Sequence, residues 1–367
     1  MKMSMATAGL WCILFLFFAA GCDSAPKSAV QAPQAASANE ERVPDTRPTE
    51  REYPTMRVWG RHLYTAWNEK IVLRGVNHMF IWLDKDGDPS LGEIARTGAN
   101  SVRLVWLTSG SAGELDTLIH NCISLKMVPL VELHDATGKW ENLKTCVDYW
   151  VRPDVVRVLR RHQKYLLVNI ANEAGDNRVT PALFVEGYSE AVRRMREAGV
   201  NVPLIIDAPD WGKNFTTLKK SAAPLVAADP RHNMMFSIHM WWPRMWGYSE
   251  KRVRQAIHDV VSLNIPLIVG EFGHAWDESD NGKIPYLTIL EESQKNDIGW
   301  LAWSWGPGNH PQTWLNMTKD GRFDTLENWG KEVAVTNAYS IRLTSRKPPS
   351  LEHIDASGFI PAPLEEE

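Results

Sequence analysis

The chain has 367 residues, 44% of them hydrophobic and 23% charged, with a formal net charge of −4. That balance supplies a large globular core and excludes the basic footprint of a nucleic-acid-binding surface. Seventeen tryptophans are unusually many, and groups such as Trp241-Trp242 with Trp246, or Trp303 with Trp305, serve either as core filling or as flat platforms for a ligand.

In chain order, Lys2 and the apolar stretch from Ala8 to Ala20 have the form of an export signal, too short to span a membrane comfortably. It ends in Ala19-Ala20-Gly21-Cys22, small residues directly before a cysteine, as in bacterial lipoproteins. Residues 1–22 are therefore expected to be a lipoprotein-type signal, with a lipid on Cys22 tying the protein to a membrane. Ordinary cleavage after Ala20 or Gly21, giving a secreted protein, is the competing reading. Residues 23–52 are rich in Ala, Pro, Ser and Gln and lack apolar periodicity, which predicts a flexible tether. Export permits disulfides, so Cys122 and Cys146 are either bridged or two buried free thiols.

Order is expected from Tyr53. Residues 58–64 and 70–76, around the turn Asn68-Glu69, read as an N-terminal strand pair. An apolar strand followed by an amphipathic helix then recurs, with strands at 72–76, 101–106, 128–133, 166–170, 203–206, 235–238, 267–269 and 299–302 and helices such as 184–198 and 250–263. This repeat predicts an α/β fold, a (β/α)8 TIM barrel forming a single domain over 53–342. An open doubly wound sheet is the runner-up; no Gly-rich phosphate turn follows the first strand to support it. Residues 343–367, with Pro348-Pro349, Pro361, Pro363 and three closing glutamates, read as a disordered tail.

A barrel of this kind builds its site at the C-terminal ends of its strands. Those ends carry Asn77 and His78, Arg103, His134 with Asp135, Asn172 with Glu173, Asp207 followed by Trp211, His239, Glu271 and Trp303. Glu173 closes the fourth run and Glu271 the seventh, so both would project at one mouth. Two facing carboxyl groups are what hydrolysis of a glycosidic bond requires: one protonates the leaving oxygen, the other attacks or activates water. Sugar rings present apolar C–H faces, which suits the tryptophans. No further cluster of Cys, His and carboxylates has metal-ligand spacing, and neither metal nor cofactor is expected.

Arg103 in Ser-Val-Arg-Leu-Val, His134 in Val-Glu-Leu-His-Asp-Ala-Thr-Gly, Asn172-Glu173, His239 in Phe-Ser-Ile-His-Met, Glu271 in Gly-Glu-Phe-Gly and Trp303 in Leu-Ala-Trp-Ser-Trp resemble glycoside hydrolase family 5. Longer strings, among them Asn-Ile-Ala-Asn-Glu and Ala-Ala-Asp-Pro-Arg-His-Asn-Met-Met-Phe-Ser-Ile-His-Met, are similar to its bacterial endo-β-1,4-mannanases, over about residues 58–335. The resemblance implies a retaining double displacement on internal β-1,4 bonds of mannan, glucomannan or galactomannan. Glu271 would be the nucleophile and Glu173 the acid/base. Arg103, His134, Asn172, His239, Trp241 and Trp303 would bind substrate, Asn172 at the sugar 2-hydroxyl. Trp211 and His78 join them from their places at strand ends. The partner would be a β-linked polysaccharide and the protein a monomer.

One departure stands out. The family usually has a tyrosine two residues after the histidine of the sixth strand, its hydroxyl bonded to the nucleophile. Here that place holds Trp241, and Tyr248 of the same aromatic loop is the candidate to supply the hydroxyl. Two alternatives stay open: a β-1,4-glucanase or other β-glycosidase of the family, and a surface polysaccharide-binding protein with impaired catalysis.

Overall fold

The computed structural model describes residues 41–44 and 53–354. The expected signal with Cys22, and most of the expected tether, lie outside the described residues.

Three short strands open the domain, β1 (Arg57–Trp59), β2 (His62–Tyr64) and β3 (Lys70–Ile71), in one antiparallel sheet of order β1-β2-β3. The expected strand pair is thus three strands. Gly60, at φ +55°, folds the run 58–64 back on itself. Eight strands follow: β4 (Arg74–His78), β5 (Ser101–Trp106), β6 (Val128–Leu133), β7 (Leu167–Asn169), β8 (Leu204–Asp207), β9 (Met234–His239), β10 (Leu267–Glu271) and β11 (Gly299–Ala302). They close into a parallel barrel of order β10-β11-β4-β5-β6-β7-β8-β9. The (β/α)8 expectation holds, with β4 starting two residues late. The intervening helices start on strong signals: Ser111 and Glu114 form a capping box for Ala112–Ser124. Thr180 caps Pro181–Glu197, whose first residue is proline.

Alternation along the strands sorts their side chains. Val102, Leu104, Val131, Ile206 and Val269 belong to the large core shared with the helices. Leu130, Leu167, Ile205, Met235, Ile268 and Leu301 instead form one apolar layer with Met56, Val58, Leu63, Ile71 and Leu73 of the small sheet, which plugs the N-terminal end of the barrel. Two residues beyond Leu130, Leu167, Ile205 and Met235 the same face turns polar, at Glu132, Asn169, Asp207 and Ser237, all buried. The barrel is therefore apolar at its N-terminal end and polar at its C-terminal end.

Both flanks of the domain depart from expectation. The segment read as a disordered tail starts as folded chain, with helical turns at Ile341–Thr344 and Pro349–Glu352. Leu351, only 1% exposed, completes the plug layer, and Asn100 Nδ2 donates to the Arg346 carbonyl at 2.8 Å. Proline runs limited the expectation because they exclude long helices, not packing. Within the expected tether, Val43 is buried. Its N–H donates to the Leu263 carbonyl at 3.0 Å and its carbonyl accepts from Asn264 Nδ2 at 3.1 Å. Cys122 and Cys146 are free thiols, burial pushing both far above the ordinary range.

Candidate active site

Arg103, on β5, holds the polar end of the barrel together. Its Nη1 donates to Glu271 Oε1 at 2.8 Å and Asn77 Oδ1 at 3.0 Å, and its Nη2 to Asn172 Oδ1 at 2.7 Å and Asn169 Oδ1 at 2.8 Å. Glu132 and Asp207 stand at 3.6 and 3.4 Å. Burial works against its charge, but the carboxylates of Glu132, Asp207, Glu271 and Glu173 outweigh that and raise it. Only a planar fork reaches so many acceptors at once.

Glu271 ends β10 in a position that strict alternation would turn outward, with Val269. A register irregularity between Val269 and Glu271 intervenes, setting Glu271 opposite His239 of β9. Its second oxygen, Oε2, accepts the Trp241 indole N–H at 3.1 Å. Burial pushes the carboxyl up; the His239 charge opposes this, Glu173 adds to it, and Arg103 and His134 oppose it further, leaving it above the ordinary value.

Glu173 follows β7 with φ +47°, a conformation that costs a non-glycine residue about 1–3 kcal/mol and is found where surroundings enforce it. Here the Asp207 carboxylate accepts its N–H at 3.1 Å, and its carbonyl accepts the Gly138 N–H at 3.0 Å. His239 Nδ1 lies 2.8 Å from Glu173 Oε1 and 3.5 Å from Glu271 Oε2. An oxygen of each carboxylate and a nitrogen of His239 lie within 4.8 Å of one another. Among the described residues this trio alone has the donor types of a metal site. Within it, both Glu271 oxygens accept from Arg103 and Trp241, and Glu173 Oε1 faces His239 Nδ1.

His239 is fully buried, with Nε2 facing Asp207 Oδ2 at 3.4 Å. Burial lowers its basicity, but Glu271, Asp207 and Glu173 outweigh that and raise it to about 10. Burial likewise disfavours the Asp207 anion, yet His239, Arg103 and the Glu173 N–H hold it at about 2. The site is thus a compact, interlocked set of carboxyl groups and basic side chains.

Around the pair, His134 bonds Glu132 Oε1 through Nδ1 at 2.8 Å; burial opposes its protonation, and the Glu132 charge overrides this. Its ring stacks on Trp303, with centroids 5.7 Å apart, and meets Trp82 edge-on at 5.9 Å. Trp303 donates to Asn309 Oδ1 at 2.9 Å. Trp211 reaches the mouth on the loop after β8, its backbone N–H donating to the Gly175 carbonyl at 3.2 Å. Two expectations fail. His78 is buried against Phe80 and bonded to Asp84 Oδ1 at 3.2 Å, a contact within its own loop. Tyr248 lies flat on Trp242, centroids 5.0 Å apart; the donor to Glu271 is Trp241 itself. Glu132 and Asn169 belong to the network and are not singled out by the sequence pattern, being inside apolar runs. A charge or amide at an inward strand position was the available signal.

A family model for cellulase (glycosyl hydrolase family 5) matches residues 65–309. A mannan endo-1,4-beta-mannosidase of Salipaludibacillus agaradhaerens is 33% identical over 312 residues, 83% of this chain and 97% of that protein. Among solved structures, a beta-mannanase from Streptomyces thermolilacinus superposes with a TM-score of 0.74 at 29% identity, over 81% of this chain and 99% of that one. The mannotriose complex of the Thermomonospora fusca beta-mannanase does so with 0.73 at 29%, over the same shares. Barrel, carboxylate pair and sequence agree: the chain belongs to glycosyl hydrolase family 5 and is a glycoside hydrolase.

Proposed function

We propose that the protein is an exported, retaining endo-β-1,4-mannanase. The observation that carries the mechanism is the closeness of the two carboxylates, with oxygens within 4.8 Å. Retaining enzymes hold the groups about 5–5.5 Å apart, whereas inversion needs about 6.5–9.5 Å to admit a water. Glu271 attacks the anomeric carbon while Glu173 gives its proton to the leaving oxygen. Glu173 then takes the proton of an incoming water, which displaces Glu271 from the sugar. Arg103 and Trp241 fix the attacking carboxylate by one hydrogen bond on each oxygen. Asn172 accepts from Arg103 and donates to Thr137 Oγ1 at 2.8 Å, leaving one amide N–H for the sugar 2-hydroxyl. Trp303, stacked on His134, offers its indole as the platform for the sugar being cleaved.

The mannan assignment is supported by relatives named as mannan endo-1,4-beta-mannosidases and by the mannotriose-bound neighbour. Export and lipid attachment rest on the small residues before Cys22. The test is reducing-sugar release from glucomannan, galactomannan and carboxymethyl-cellulose, with Glu271→Ala as control and NMR of the first anomer formed. Release from the mannans with β-anomer first, abolished in the control, is expected. Release from cellulose alone overturns the substrate; α-anomer first overturns the mechanism.

A further inference from the structure

The small sheet that plugs the barrel has a second face, which the chemistry does not use. Val58, Leu63 and Ile71 point into the plug layer, so strand alternation turns Arg57, Trp59, His62, Tyr64 and Lys70 the other way. Pairing sets Arg57 beside Tyr64 and Tyr64 beside Lys70. None of these outward residues is acidic. The turns that lead into β6 and β7 add exposed Lys126 and Lys164, and the closing segment adds exposed Arg346. Lys164 Nζ lies 5.1 Å from the Trp67 ring centroid, and that ring packs on Tyr165 at 5.3 Å. Lys347 is held below the usual lysine range by burial and then by the Lys126 charge, with Cys122 and Glu352 opposing more weakly. Acids at this end are engaged: Asp297 pairs with Lys70 at 2.7 Å, Glu69 accepts from Thr65 Oγ1 at 3.0 Å, and Glu197 pairs with Arg193 at 2.6 Å. A chain of net charge −4 thus gathers cations at the end of the barrel remote from its carboxylate pair.

Cations interleaved with Trp and Tyr match the headgroup layer of a bilayer, where ammonium and guanidinium groups meet phosphates and amphipathic rings lie at the boundary. The chain path agrees. Val43 is bonded to Leu263 and Asn264 at this same end, directly before β10. From Val43 back to Cys22 the chain reaches about 70 Å at most, so a lipid on Cys22 keeps this end close to the bilayer, where weak contacts suffice. A neutral polysaccharide offers these cations no counter-charge, and a second copy would set cations against cations.

We infer that the outer face of the small sheet, with Lys126, Lys164 and Arg346 beside it, docks on an anionic phospholipid bilayer. The mouth, at the opposite end of the barrel, then faces away from the membrane. The inference extends the reading of Cys22 as a lipid site, and its test leaves the lipid out. The exported chain carrying Cys22→Ala is sedimented with vesicles of phosphatidylcholine, alone or with about 30% phosphatidylglycerol. Binding that prefers the anionic vesicles and is lost in high salt is expected. Lys126→Glu combined with Arg346→Glu, both on exposed side chains, is expected to weaken it at least about tenfold. Lys164→Glu repeats the test should that pair melt early. Equal binding to both vesicle types overturns the inference, as does anionic binding that neither variant alters, or a dimer that the same substitutions dissolve. Vesicle-bound enzyme is expected to hydrolyse its soluble polysaccharide at the rate of free enzyme; a bound form silent on polymer overturns the orientation. Fatty-acid labelling of the wild type reads the lipid on Cys22 separately.

Discussion

Trp241 gives the proposed nucleophile a neutral donor whose proton does not titrate in water, unlike a phenol. Trp241→Phe keeps the ring and removes the N–H. A hydrogen bond to a charged group is worth about 1.5–3 kcal/mol, so kcat on mannan is expected to fall about 10- to 100-fold, with KM changing less. Steady-state kinetics checks this, and unchanged kcat would deny Trp241 its positioning role. His239 and Asp207 govern the pH response. His239 rises from 6.5 to about 10, so its contribution to stability is complete below 6.5 and lost as pH climbs through 10. Asp207 falls from 3.8 to about 2, so its contribution is complete above 3.8 and lost as pH drops through 2. Both are in full force between 3.8 and 6.5. Thermal melts across pH should show the alkaline decline that His239 adds, and His239→Gln should flatten it.

At the scale of elements, the barrel strands are legible because nearly all are centred on apolar residues buried on both faces, the signature of a parallel sheet; β4, Arg-Gly-Val-Asn-His, is the exception and starts two residues later than its apolar run suggests. Their C-terminal ends also announce most of the site, since a polar residue directly after such a run has the mouth as its place. The inward tilt of Glu271 is not legible. It depends on the slip of β10 against β9, a relation between strands 30 residues apart in sequence. Glu132 is hidden for a similar reason: inside Val-Pro-Leu-Val-Glu-Leu it disrupts an apolar pattern, and only its spatial neighbours explain it, His134 bonded to it and Arg103 on the preceding strand. Arg103→Lys retains charge on β5 and loses the fork. Stranding the buried acceptors should cost about 3 kcal/mol in urea unfolding, with activity falling alongside. A loss under about 1 kcal/mol would mean that the network tolerates a point charge.

For the whole molecule, the lower end of the barrel is closed by parts from both flanks of the sequence, the small sheet and the turn bearing Leu351. Removal of the chain after residue 342 should therefore lower the melting temperature. Leu351→Ala alone should cost about 2–4 kcal/mol, as for other buried leucines. Calorimetry of both variants decides; unaltered melting would restore the view of this segment as a dispensable tail. Lipid attachment belongs to this scale too: Cys22→Ala should abolish labelling by a fatty acid in a bacterial host and release the enzyme from membranes.

Fold class, the places of the eight strands and the two carboxylates follow from sequence alone, because they depend on short-range pattern: apolar runs, caps, and what stands at the end of each run. Tertiary structure alone decided the rest. It chose Trp241 over Tyr248 as the donor to Glu271, gave His78 to Asp84, left two cysteines unbridged and folded Leu351 under the barrel. Each of those outcomes is set by strand register and loop path, which fix the distance between side chains far apart in the chain, and a one-dimensional pattern does not contain that distance.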